Sequence, residues 1–202
     1  MPRHSLWFAL PCLAALAATA PLRLGAQSIS PGVMAGGSLS TFTGDIAGDV
    51  KNYAGFIAGA FVRFEFAGIA VQPGVYYTTK GVKSDDFQGS SSSGQQSLDY
   101  IQVPLVVRIH LGPLYVGGGP AIGVKVGCKI TFDAATSDCS DAGATKPATT
   151  EVSGIGEAGL TFGKFSLGLR ADLGLTDLFN GQSINNVTVR TRTISAIAEI
   201  RF

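Results

Sequence analysis

Beyond residue 26 the 202-residue chain has no tryptophan, one histidine, two cysteines and no uninterrupted apolar run of about 18 residues. Without such a run no helix can span a bilayer. A lone histidine rules out a histidine-rich metal centre and leaves little material for a Ser–His hydrolase. Neither sign of charge dominates, with 15 basic and 14 acidic residues, so nothing electrostatic speaks for nucleic acid. Yet mean hydropathy is +0.30, high for a chain without a long apolar segment. The apolar residues must be dispersed in a pattern.

The exception is the start. "MPRH" is basic, "SLWFALPCLAALAATA" is apolar, and "LGA" before Gln27 offers small residues for cleavage. That order predicts a secretory signal peptide over 1–26, broken by Pro11 and too short to anchor, with the domain over 27–202. Its removal takes Arg3 and Arg23 from the basic residues and no acid, leaving a formal charge of −1. The two remaining cysteines, Cys128 and Cys139, flank "KITFDAATSD" in an exported chain. They read as a disulfide that closes a local loop. A metal pair lacks nearby histidines.

The pattern has a period of two. In "FSLGLRADLGL" (165–175), Phe165, Leu167, Leu169, Ala171, Leu173 and Leu175 share one parity, and Ser166, Gly168, Arg170, Asp172 and Gly174 the other. Such alternation is a β-strand with two unlike faces. Seven further segments alternate, at 32–40, 55–66, 69–81, 98–111, 114–126, 151–162 and 188–202. Short links at 67–68, 112–113 and 163–164 alternate with long ones near 41–54, 82–97, 127–150 and 176–187. The expected fold is therefore all-β, an eight-stranded antiparallel up-and-down barrel with the termini and tight turns at one end.

Which face meets oil decides between a soluble and a transmembrane barrel. The polar parity carries Gly59, Gly117, Gly159 and Gly168 among Arg63, Glu65, Arg108, Glu157, Arg170, Asp172, Glu199 and Arg201. Small residues beside large charged ones fill a narrow eight-stranded interior, and four arginines with four acids allow pairing. Segments of this length cover the roughly 25 Å apolar band of an outer membrane. Phe202 ends the chain in the apolar register. The expectation is a transmembrane barrel with lipid outside and a lumen charge network inside. Pro73, Pro104 and Pro120 fall within strands, where bulges or breaks are expected.

"VQPGVYYTTKG", "YIQVPLVVRI" and "YVGGGPAIGVKV", in that order, resemble successive blocks of the PorT-like outer-membrane β-barrel domain family. The resemblance covers roughly residues 30–202 and implies an integral outer-membrane protein of a Gram-negative cell, with lipid as its surroundings. In that family prolines stand at the places of Pro73, Pro104 and Pro120. The family's namesake is associated with a protein secretion apparatus. The Cys128–Cys139 loop is not part of the resemblance.

For function the expectation is a structural or surface-binding barrel without catalysis, cofactor or metal, present as a monomer. Loops 82–97 and 127–150 are the expected contacts for an external protein or glycan, with the termini periplasmic. A gated small-solute conduit and a secretion component are the alternatives, and a lipid-modifying enzyme is less favoured. His110, on the inner parity beside turn 112–113, faces away from an outer-leaflet substrate. "GGGPAIG" lacks the Lys-Ser/Thr ending of a phosphate loop.

Overall fold

The computed structural model describes residues 28–44, 50–84, 94–132, 135–139, 148–176 and 189–202. The predicted signal peptide lies outside them. Among the described residues nine strands follow in order: β1 (Ser28–Gly44), β2 (Val50–Phe66), β3 (Ile69–Ser84), β4 (Gly94–Leu111), β5 (Leu114–Phe132), β6 (Ala135–Asp138), β7 (Thr150–Phe162), β8 (Phe165–Gly174) and β9 (Val189–Arg201). Eight of them form the wall. Each wall strand pairs antiparallel with its sequence neighbour in the wall, β1 closes on β9, and β4 pairs with β5 to leave no open edge. Among the described residues β6 pairs only with β5, outside the closed wall. Closure matters because lipid cannot hydrogen-bond a free strand edge.

The tight turns follow their chemistry. Ala67 and Gly68 both have positive φ, the primed-turn geometry that matches strand twist. Gly112 and Gly163 take φ of 65° and 59° at the other two turns.

Within the apolar band accessibility alternates residue by residue, most regularly along β4 from Tyr100 to Ile109. The exposed parity is the apolar one. On β4 it runs Ile101, Val103, Leu105, Val107, Ile109, Leu111, all exposed. At about 3.3 Å per residue and a tilt near 40°, that row is about 25 Å tall, the height of an outer-membrane apolar band. Phe66, Phe162, Phe165 and Phe202 are exposed at the turn end, and Phe56 stacks on Tyr77 at 5.6 Å nearer the loop end. Aromatic residues at both borders are a mark of such barrels.

Two expectations need correction. Pro73, Pro104 and Pro120 cause no slip: pairing lapses beside each of them and resumes in the same register. The register shifts lie elsewhere, between Asn52 and Ile57 and between Asp99 and Tyr100. At the first, Ser40 Oγ donates to Gly81 O (3.1 Å) and accepts from Gly81 N (2.8 Å). Thr79 Oγ1 accepts from Phe56 N at 2.9 Å. Hydroxyls thus replace the ladder bonds that the bulge removes. Second, the segments read as loops 82–97 and 127–150 are partly strand. β3 runs to Ser84, β4 begins at Gly94, and β5 continues to Phe132 before β6. Above the apolar band these strands keep their ladder while losing the hydrophobic alternation that marks a strand in sequence.

Candidate functional site

The lumen is a packed interior. Arg63 and Arg108 are completely buried, and Tyr76, Tyr100, Tyr115 and Lys80 nearly so. Register explains how charges meet. Arg108 on β4 lies opposite Gly117 on β5, which lies opposite Glu157 on β7, which lies opposite Arg170 on β8. Gly117 is the step that lets Arg108 pass, since a Cβ there would stand 2.8 Å from Arg108 Cγ. Arg108 Nε donates to Glu157 Oε1 across that gap.

Glu199 is the centre of the turn-end cluster. Its Oε2 accepts from Arg63 Nη2 (2.6 Å) and Arg108 Nη1 (2.7 Å). Its Oε1 accepts from Arg108 Nη2 (2.6 Å) and Gln72 Nε2 (3.1 Å). Four donors fill the lone-pair sites of one carboxylate. Arg63 Nε also donates to Gln72 Oε1 at 2.8 Å. Nearer the mouth, Arg201 Nη1 pairs with the partly exposed Glu65 at 2.6 Å, and Arg201 Nη2 donates to Gly163 O at 2.6 Å.

A second cluster lies toward the loop end. Lys80 Nζ donates to both Glu151 oxygens (3.2 and 3.0 Å) and to Asp172 Oδ1 (3.2 Å). Asp172 Oδ2 accepts from Gln102 Nε2 at 2.5 Å, and Thr191 Oγ1 donates to Glu151. Arg170 Nη2 donates to Gln102 Oε1 at 3.3 Å, with its guanidinium 5.2 Å from the Tyr76 ring. Arg170 thus bridges the clusters through Tyr76, whose hydroxyl accepts from Gln72 at 3.5 Å. Each cluster is balanced: Arg63, Arg108 and Arg201 with Glu65, Glu157 and Glu199; Lys80 and Arg170 with Glu151 and Asp172. Buried charge needs that balance.

Lys80 and Glu151 are absent from the charge set read from sequence, which stopped at equal numbers of arginines and acids. Their signal was parity: both fall on the polar face of their segments. Between and beside the clusters the lumen also holds apolar groups, Met34, Ile57, Phe61, Tyr76 and Ile197 in one and Val106, Ala121 and Ile155 in another. His110 is half-buried at the turn end with its ring 6.1 Å from Tyr115. Among the described residues no group of three or more His, Cys, Asp and Glu side chains could hold a metal ion.

At the loop end β5 and β6 form a ribbon, paired from Lys129–Asp138 to Phe132–Ala135, whose β5 strand stays paired with β4. Cys128 and Cys139 are disulfide-bonded at its base, with Cα atoms 5.5 Å apart.

A closed eight-stranded barrel with an apolar exterior of bilayer height and a charged, packed lumen is a transmembrane β-barrel. The chain belongs to the outer membrane protein beta-barrel domain family, whose profile matches residues 25–180. β9 lies beyond that match yet pairs with both β8 and β1, so it is part of the same barrel. Among solved structures the chain is similar to Neisserial surface protein A, at 13% identity and a TM-score of 0.52 over 87% of this chain and 99% of that one. It is also similar to Ail, the attachment invasion locus protein of Yersinia pestis, at 16% identity and a TM-score of 0.43 over 86% and 98%. No curated protein matches it in sequence.

Proposed function

We propose that this is a non-catalytic, non-conducting barrel of the PorT-like kind, a monomer exported by the 1–26 signal peptide. Its termini face the periplasm and its loop end presents a stiff platform for an external protein or glycan. The observation that carries the reading is the lumen plug. Glu199 with its two arginines and the Lys80–Glu151–Asp172 group tie side chains from opposite walls together at two heights. A solute would have to break these buried pairs to pass. The ribbon at Lys129–Asp138, closed by its disulfide, supports the binding half of the reading, because rigid scaffolds commonly bind through what they hold at one end.

Two measurements test it. The refolded chain in planar bilayers is expected to give no unitary conductance, and stable channels would contradict the plug. Cells displaying the barrel are expected to bind host-surface or matrix glycoprotein arrays through the 127–150 region. Binding unchanged after that region is replaced by a short Gly–Ser link would contradict the platform.

A further inference from the structure

The lumen wall made by β5, β7 and β8 carries three buried polar atoms that form no hydrogen bond among the described residues. They are the Tyr115 hydroxyl, Glu157 Oε2 and Arg170 Nε. Tyr115 is fully buried, and Glu157 and Arg170 nearly so. Register brings the three together. Glu157 lies directly opposite Arg170. One inward step nearer the tight turns, Gly159 lies opposite both Tyr115 and Gly168. These two glycines let the Tyr115 phenol lie across the ladder, its tip in the space that a Cβ on either would take. Its hydroxyl therefore ends beside the row that holds Glu157 and Arg170.

Each side chain is anchored by another contact that leaves its third-party atom unused. Arg108 Nε donates to Glu157 Oε1, and the Arg108 guanidinium lies over the Tyr115 ring, 4.4 Å from its centroid. One arginine thus fixes both the acid and the phenol. Arg170 is drawn the other way, with Nη2 donating to Gln102 Oε1 and its guanidinium over the Tyr76 ring. A direct Arg170–Glu157 pair would forfeit both of those contacts. The ladder therefore gathers one unused N–H donor, one unused carboxylate oxygen and one unused hydroxyl deep in the barrel.

We infer that these three atoms form a binding site for one structural water molecule, which accepts from Arg170 Nε, donates to Glu157 Oε2 and shares a third hydrogen bond with the Tyr115 hydroxyl. Buried waters typically make about three hydrogen bonds to groups that would otherwise go unmatched. Leaving a buried charged group short of a partner costs more than immobilising a water beside it. Charge selects against the other small occupants. A cation would stand against Arg170 and Arg108, and an anion against Glu157. The occupant must be neutral, and it must both donate and accept. The water then links the two charge clusters, with Arg108 and Glu157 on one side and Arg170, Gln102 and Asp172 on the other. The inference needs only the folded barrel and stands whether or not the loop end binds a partner.

The test uses the full chain refolded into lipid. Crystals grown from a lipidic mesophase with rubidium bromide are expected to show one oxygen within hydrogen-bond distance of Tyr115 Oη, Glu157 Oε2 and Arg170 Nε. No anomalous scatterer is expected there. An ion at that place, no ordered density, or Arg170 turned to pair directly with Glu157 would overturn the assignment. Arginine-labelled protein in nanodiscs gives an independent reading by nuclear magnetic resonance. The Arg170 Nε proton is expected to show a cross-peak to water with the sign of a long-lived bound molecule. Tyr115→Phe keeps the ring over which Arg108 lies, and heat-modifiable gel migration confirms that the variant folds. There the cross-peak is expected to persist, because Glu157 and Arg170 still hold the water. Its loss in Tyr115→Phe would assign the signal to the hydroxyl proton, and its absence from the wild type would leave Arg170 Nε without a water; either result overturns the site.

Discussion

At the scale of the residue, two acids on one face are held very differently. Glu199 is buried and receives four hydrogen bonds from Arg63, Arg108 and Gln72, whereas Glu65 is about a third exposed and sits near the mouth. Removing one partner of a buried pair leaves the others charged and uncompensated, which costs about 3–5 kcal/mol. An exposed pair is worth less than about 1 kcal/mol. Glu199→Gln is therefore expected to lower the midpoint of denaturant unfolding in bilayers far more than Glu65→Gln, and equal shifts would contradict the network. The residue scale is also where sequence and structure part most. Parity is enough to put Arg63, Arg108, Glu157 and Glu199 on one face. It cannot say that Gly117 is the gap through which Arg108 reaches Glu157, because that depends on the register of three strands. Hydrophobicity would send Ile57, Phe61 and Ile197 to lipid, but they share the parity of Arg63 and Glu199 and pack in the lumen.

At the scale of the element, strands and tight turns are legible wherever one face is apolar. Phe165–Gly174 emerges as β8 almost as its alternation predicts, and the turns at 67–68, 112–113 and 163–164 stand where short links separate the periodic segments. The extensions of β3, β4 and β5 above the band, and all of β6, are not legible, because water rewards no alternation there and only ladder bonds hold them. Two outcomes belong to this scale. Leu169→Arg puts a charge on the lipid face of β8 near mid-band, where Leu169 is strongly exposed, and is expected to cost roughly 2–4 kcal/mol in bilayer refolding. Wild-type stability of that variant would mean the face is not in hydrocarbon. Cys128→Ala/Cys139→Ala opens an eleven-residue separation and is expected to remove at most about 3 kcal/mol, confined to the ribbon. Hydrogen exchange should then quicken at Lys129–Asp138 and not in β7 or β8.

For the whole molecule, the arrangement inverts that of a soluble barrel: apolar side chains line the outside and ionised ones are packed about the axis. That inversion resolves the sequence's positive hydropathy without a long apolar run, since half of each strand faces oil. It also explains why composition alone could name no ligand. The charges are spent on one another inside.

The most direct test of this inversion is spin-label accessibility along β4. Single cysteines placed at successive positions from Ile101 to Ile109, with the native disulfide kept, are labelled in reconstituted vesicles and relaxed by oxygen or by a water-soluble nickel chelate. Oxygen access is expected to alternate with a period of two, with maxima at Val103, Leu105 and Val107, and nickel access to stay low throughout. Nickel maxima at those three positions would place water where this account places hydrocarbon.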